Sequence, residues 1–110
     1  MNICVYGAAS KKIEQKYIDA TEELGYELGK RGHDLIYGGG ATGVMGAVAR
    51  GVKRGGGKVT GVVPSFFRDE NIEPIFDKCD EAIYTESMRE RKYIMESRAD
   101  GFIVAPGGIG

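Results

Sequence analysis

Ser87-Met88-Arg89-Glu90-Arg91-Lys92-Tyr93-Ile94-Met95-Glu96-Ser97-Arg98-Ala99-Asp100, followed by Gly101-Phe102-Ile103-Val104-Ala105-Pro106-Gly107-Gly108-Ile109-Gly110, reads as a helix, a buried strand and a glycine turn. Ser87 and Glu90 fit the S-x-x-E capping box, in which the hydroxyl accepts from the Glu90 N–H and the carboxylate reaches back to the Ser87 N–H. Met88, Arg91, Lys92 and Met95 fall on one helix face by their i, i+3, i+4, i+7 spacing. Two cations between two methionines suit a pocket that is apolar at its edges and meets an anion. Phe102 to Ala105 is a short continuous apolar run, the pattern of a parallel strand buried on both faces. Pro106 ends it, and Gly107, Gly108 and Gly110 free the backbone to turn N–H groups toward a phosphate.

Upstream, the same alternation of strand and helix repeats. Asn2 to Tyr6 is an apolar strand, followed by a turn of small residues, Gly7 to Ser10. Two compatible readings of Ser10 stand: it hydrogen-bonds a ligand, or it caps the next helix. From Ile13 to Arg31 the apolar positions 13, 17, 20, 24 and 28 keep helical spacing. Gly25 and Gly29 share one face of that helix, which predicts close packing against the sheet. Gly32 is placed as a helix stop, and His33 behind it reads as structural. Leu35 to Tyr37 is the second strand. It runs into Gly38-Gly39-Gly40-Ala41-Thr42-Gly43 and a helix from Val44 to Arg54 that Gly55, Gly56 and Gly57 close. Lys58 to Val63 is a third strand, Pro64 to Asp80 a loop with a short helix, and Glu81 to Thr85 a fourth strand.

Gly38, Gly40 and Gly43 match G-x-G-x-x-G in a strand–turn–helix context. A dinucleotide site would require an acid at the end of the next strand to hold a ribose diol. That strand ends Val62-Val63-Pro64, so a nicotinamide enzyme is rejected as the leading reading. What remains is a glycine turn at a helix N-terminus, suited to close approach of a ligand through Gly39 and Gly40. Five strands alternating with helices predict a doubly wound parallel α/β sheet in three α/β/α layers, with both glycine turns at the carboxyl ends of strands.

The run M-x-x-R-K, an apolar strand and then P-G-G-x-G resembles the Lonely Guy (LOG) family of cytokinin riboside 5′-monophosphate phosphoribohydrolases, members of which carry the label "possible lysine decarboxylase". G-G-G-x-x-G-x-M-G, matched from Gly38 through Gly46, is similar to a second motif of that family. The resemblance implies a Rossmann-like nucleotide-binding domain over residues 1–110, C-terminally incomplete, because the family motif continues P-G-G-x-G-T-x-x-E beyond Gly110. It implies hydrolysis of the N-glycosidic bond of an adenosine 5′-monophosphate, N6-modified or not, to free base and ribose 5-phosphate, by a homodimer. By resemblance Arg91 is the catalytic arginine. The substrate would lie against Arg91, Lys92, Met88, Ser10, Gly39, Gly40 and the turn Gly107, Gly108, Ile109, Gly110. A glutamate of the Pro64–Asp80 segment would also touch it, Glu70 or Glu73, of which Glu73 has the family spacing to Arg91. Arg89 departs from the pattern, where many members have His. The carboxylate that would stabilise an oxocarbenium-like transition state is the family's Glu beyond Gly110, so the 110-residue chain alone is expected to be inactive. A second reading, from a different class, is a nucleotide- or cofactor-binding carrier or sensor that cleaves nothing; it needs the glycines and cations but not that Glu.

Composition narrows the alternatives. A chain of 110 residues is one domain at most. Its 18 glycines far exceed the usual ~7% but are clustered without period, which excludes collagen and suggests turns serving a ligand. A net charge of −1 gives nucleic acid no electrostatic footing. No apolar run suggests a membrane partner, and the expected location is cytoplasmic. Cys4 and Cys79 form no C-x-x-C, and Cys4 reads as a small buried hydrophobe. No metal-ligand spacing and no cofactor requirement are visible; nothing marks a lysine for a pyridoxal Schiff base, so the decarboxylase label gains no support.

Overall fold

Five parallel strands, β1 (Asn2–Tyr6), β2 (Asp34–Tyr37), β3 (Val59–Pro64), β4 (Glu81–Thr85) and β5 (Gly101–Val104), lie side by side in the order β4-β3-β2-β1-β5. The computed structural model describes residues 1–8, 10, 12–72 and 74–105. Helix α1 (Gln15–Lys30) joins β1 to β2, α2 (Gly43–Arg54) joins β2 to β3, the short α3 (Ser65–Asp69) follows β3, and α4 (Met88–Arg98) carries the chain from β4 to β5.

Alternation along the strands divides the core in two. Ile3, Val5, Leu35, Tyr37 and Val59 pack with Val44, Val48 and Val52 of α2, and with Ile18 and Leu28 of α1. Cys4, Ile36 and Val62, from the intervening positions, pack with Met95 and Ile94 of α4. The molecule is therefore the expected Rossmann-like α/β/α sandwich, with α1 and α2 on one face and α4 on the other. The chain leaves β1 over one face and reaches β5 over the other. The reversal between these adjacent strands is the crevice where open α/β sheets bind ligands at their carboxyl ends.

Three expectations are corrected. Gly25 and Gly29 do not face the sheet. A Cβ on Gly25 would collide with the Val48 carbonyl and lie 3.2 Å from the Cα of Gly51, and one on Gly55 would lie 2.8 Å from the Lys30 nitrogen. Two glycines on α1 thus interlock with Gly51 of α2 and with Gly55 just past its end, backbone against backbone. Second, β5 is not buried on both faces: Phe102 is 52% and Val104 56% exposed. Among the described residues β5 pairs only with β1, and α4 sits over Cys4, Ile36 and Val62, too far along the sheet to cover it. The Phe102 ring instead stacks on Tyr6, with centroids 6.2 Å apart. Third, α1 starts at Gln15 rather than Ile13, and Ser10 does not cap it. The Ser10 hydroxyl accepts from the Lys12 N–H at 3.1 Å, and Glu14 occupies the N-cap position.

Helix ends follow the sequence more closely. Gly32 (φ +84°) and Gly56 (φ +93°) take the left-handed conformation that ends α1 and α2. In each, the following N–H returns to the last turn, His33 to Leu28 at 3.0 Å and Gly57 to Val52 at 2.9 Å, the Schellman arrangement. At α4 the Ser87 hydroxyl accepts from the Glu90 N–H at 3.1 Å, as the capping box requires. The return arm differs: the Glu90 carboxylate accepts from Glu86, at 3.4 Å, instead of from Ser87. Cys4 is fully buried, and burial pushes its thiol pKa up, as befits an inert core residue.

Candidate active site

The β2–β3 ladder ends at the pair Tyr37↔Gly61. One residue further, the carbonyls of Gly38 and Val62 both accept hydrogen bonds from one side chain. Arg91, on the first turns of α4, donates from Nη2 to the Gly38 oxygen at 2.6 Å and from Nε to the Val62 oxygen at 2.9 Å. The Phe67 ring of α3 lies 5.2 Å from its Cζ, and the Met88 sulfur 3.9 Å from Nη1. Charge-assisted bonds of this kind contribute roughly 1.5–3 kcal/mol each. Arg91 is thereby a half-buried cation held at the carboxyl edge of the sheet.

The glycine turn after β2 forms the wall beside it. Gly39 takes φ +85°, and a Cβ there would collide with Val63. The buried Tyr37 hydroxyl donates to the Gly40 carbonyl at 2.8 Å and fixes the turn from below. From the other side the segment preceding β4 closes on it: Ala41 donates to Pro74 at 3.1 Å and Phe76 to Gly39 at 2.8 Å. The turn after β1 is joined to the same wall, since the Val44 N–H of α2 donates to the Ala8 carbonyl at 3.1 Å. Gly7 permits this approach; a Cβ there would lie 2.6 Å from Val44 and 3.2 Å from Ala105, at the end of β5. The positive end of the α2 dipole therefore opens on the crevice that Arg91 borders, and both favour an anion. Burial, with the neighbouring Cys4 second, pushes the Tyr6 phenol up to about 12, so at neutral pH it is a donor and not a base.

The sequence-derived residues are distributed as follows. Arg91, Gly39, Gly40 and Met88 meet at the strand ends, Met88 half exposed. Lys92 is exposed and pairs with no acid among the described residues. Met95 is 5% exposed and belongs to the core under α4, so the helix face expected to line a pocket reaches the strand ends only in its first turn. Ser10 lies after β1, and Glu70 is an exposed residue at the end of α3. Glu73, Gly107, Gly108, Ile109 and Gly110 lie outside the described residues. Sequence reasoning missed Tyr37, Phe67 and the Val62 carbonyl, and used Gly38 only as a motif letter. A separate surface cleft of about 680 Å³ runs along α2, lined by Arg50, Lys53, Arg54 and Lys78. Its first three cations are engaged, Arg50 and Arg54 with Glu22 at 3.2 and 3.6 Å and Lys53 with Asp80 at 2.9 Å. Among the described residues no cluster of His, Cys, Asp or Glu could hold a metal ion, and no helix is long and apolar enough to cross a membrane.

Comparison with known proteins adds three findings. The model of the SLOG cluster4 family matches residues 1–110. Cytokinin riboside 5′-monophosphate phosphoribohydrolase LOG of Oryza sativa subsp. japonica is 44% identical over 110 residues, which cover 98% of this chain and 44% of that protein. The cytokinin riboside 5′-monophosphate phosphoribohydrolase of Mycobacterium tuberculosis is 40% identical over 108 residues, 98% of this chain and 56% of its own. The chain thus spans about half the length of these relatives. Among solved structures, the Moco carrier protein of Chlamydomonas reinhardtii superposes with a TM-score of 0.79 at 27% identity, covering 99% of this chain and 64% of that one. The molybdenum cofactor binding protein of Rippkaea orientalis does so with a TM-score of 0.80 at 27% identity, over 98% of this chain and 63% of its own.

Proposed function

The chain belongs to the SLOG cluster4 family, and from that premise we propose that the full-length protein hydrolyses the N-glycosidic bond of an adenosine 5′-monophosphate, plain or N6-modified. The observation that carries this reading is the seat of Arg91 on the Gly38 and Val62 carbonyls, a fixed cation beside a glycine turn and a helix N-terminus. Phosphate fits such donors, and a flat base fits Met88 and the small residues around the crevice. The names of the relatives support the reaction class.

In this mechanism water oxygen bonds to C1′ of the ribose while the bond from C1′ to the base nitrogen breaks. One proton of the water goes to the departing base, leaving free base and ribose 5-phosphate. Arg91 is the catalytic residue, and it orients the phosphoribose and the carboxylate that meets the developing oxocarbenium charge. Lys92, Ser10, Gly39, Gly40, Met88, Glu73 and the turn Gly107 to Gly110 line the substrate. The single nucleotide-binding domain, a homodimeric assembly and a cytoplasmic location complete the proposal.

The likeness to molybdenum cofactor carriers favours one second reading, a binding module that cleaves nothing. Incubating the full-length protein with AMP and with adenosine, and separating the products by chromatography, decides between them. The hydrolase reading expects free adenine from AMP and none from adenosine. No base from AMP favours the carrier, and equal release from both overturns the role given to the phosphate.

A further inference from the structure

We infer that Gly38 is the positioning residue for Arg91: the missing Cβ is the space the guanidinium occupies. A Cβ built on Gly38 would overlap Nη2 and lie 3.0 Å from Cζ and 3.5 Å from Nε, and these Arg91 atoms are its three nearest neighbours. Gly38 is not among the residues with positive φ, so its backbone conformation is open to alanine. The next residue shows the contrast: Gly39 has φ +85° and faces Val63. What must yield to a side chain at 38 is the far end of a flexible arginine, not the backbone. The substitution therefore spares the fold and removes the 2.6 Å bond to the Gly38 carbonyl. The Phe67 ring, its centroid 5.2 Å from Cζ, limits where the guanidinium can go.

The inference rests on the hydrolase reading only for its kinetic arm. Gly38→Ala, Arg91→Ala and the double variant are made in the full-length protein. Each is measured by thermal melting and AMP hydrolysis, and the Arg91 Nε–H resonance is followed by NMR, assigned by its loss in Arg91→Ala. Gly38→Ala is expected to shift or broaden that resonance and to lower kcat/KM about 100-fold, the usual consequence of displacing a catalytic group by about 1 Å. In the Arg91→Ala background the same substitution is expected to change kcat/KM by no more than about twofold. Any loss of melting temperature in Gly38→Ala is expected to vanish in the double variant, because the atoms nearest to the added Cβ all belong to Arg91. An unmoved resonance, an equal rate loss in both backgrounds, or a destabilisation that persists without Arg91 overturns the inference. If the wild type cleaves no AMP, the hydrolase reading falls, and the resonance and melting data still decide the role of Gly38.

Discussion

The α1–α2 interface and the strand-end crevice are both made of glycine, yet they use it for opposite ends. Between the helices the absent side chains are replaced by backbone: a Cβ on Gly51 would collide with the Glu22 carbonyl and lie 2.8 Å from the Tyr26 nitrogen. At the crevice the absent Cβ of Gly38 is replaced by the guanidinium of Arg91. Close-packed backbone cannot move without disturbing both helices, whereas an arginine head can. A glycine-rich composition is thus two signals. One set of glycines sets stability, and the other sets where a charge stands.

The comparison breaks most readily on the helix side. Gly51→Ala is expected to cost about 3 kcal/mol, the upper end for overpacking a rigid site, and to lower the melting midpoint by ~12 °C. Activity per folded molecule should be retained at low temperature; a variant that melts normally but has lost activity would merge the two regions. Next in size is Tyr37→Phe. It removes the 2.8 Å donation to Gly40 and leaves a buried carbonyl short of a partner, for about 2 kcal/mol by denaturant titration. Because Gly40 lies in the turn, this variant should lose both stability and activity. Ser87→Ala removes the cap of α4 and should cost about 1 kcal/mol with little change in rate.

The smallest effect concerns Asp80, whose carboxyl pKa is lowered chiefly by the Lys53 ammonium and then by the Val59 N–H. Its folded pKa is depressed, so its contribution to stability is present above the ordinary aspartate range, about pH 4, and is lost as pH falls below it. Asp80→Asn should flatten that acid limb of a stability–pH curve slightly and leave the limb above pH 6 unchanged in slope.

Much of this was legible in the sequence for a physical reason: side-chain types and short spacings determine local structure. Strand, turn and helix could be read around Gly38 to Gly43, the Ser87 cap could be read, and Arg91 could be singled out. What could not be read involves partners far along the chain. Arg91 bonds carbonyls 29 and 53 residues away, and a carbonyl is the same in every residue type. The spacing of Gly25 and Gly29 announces close approach without saying whether a sheet or a helix approaches. The apolar run of β5 matches a doubly covered strand, but cover depends on strand order and on where α4 comes to rest, neither of which is local. Met95 shares a pattern with Arg91 and diverges because one helix turn separates the crevice from the core.

The most direct test of the central claim is the kcat/KM of Arg91→Ala for AMP, measured in the full-length protein beside its melting midpoint. The account predicts a loss of about 100- to 1,000-fold per folded molecule, as when one preorganised donor is removed from a reacting centre, with a midpoint lowered by ~12 °C as the two charge-assisted bonds are lost. A variant that releases free base within about twofold of the wild-type rate would contradict it, because the strand-end cation would then hold the sheet together and take no part in the chemistry.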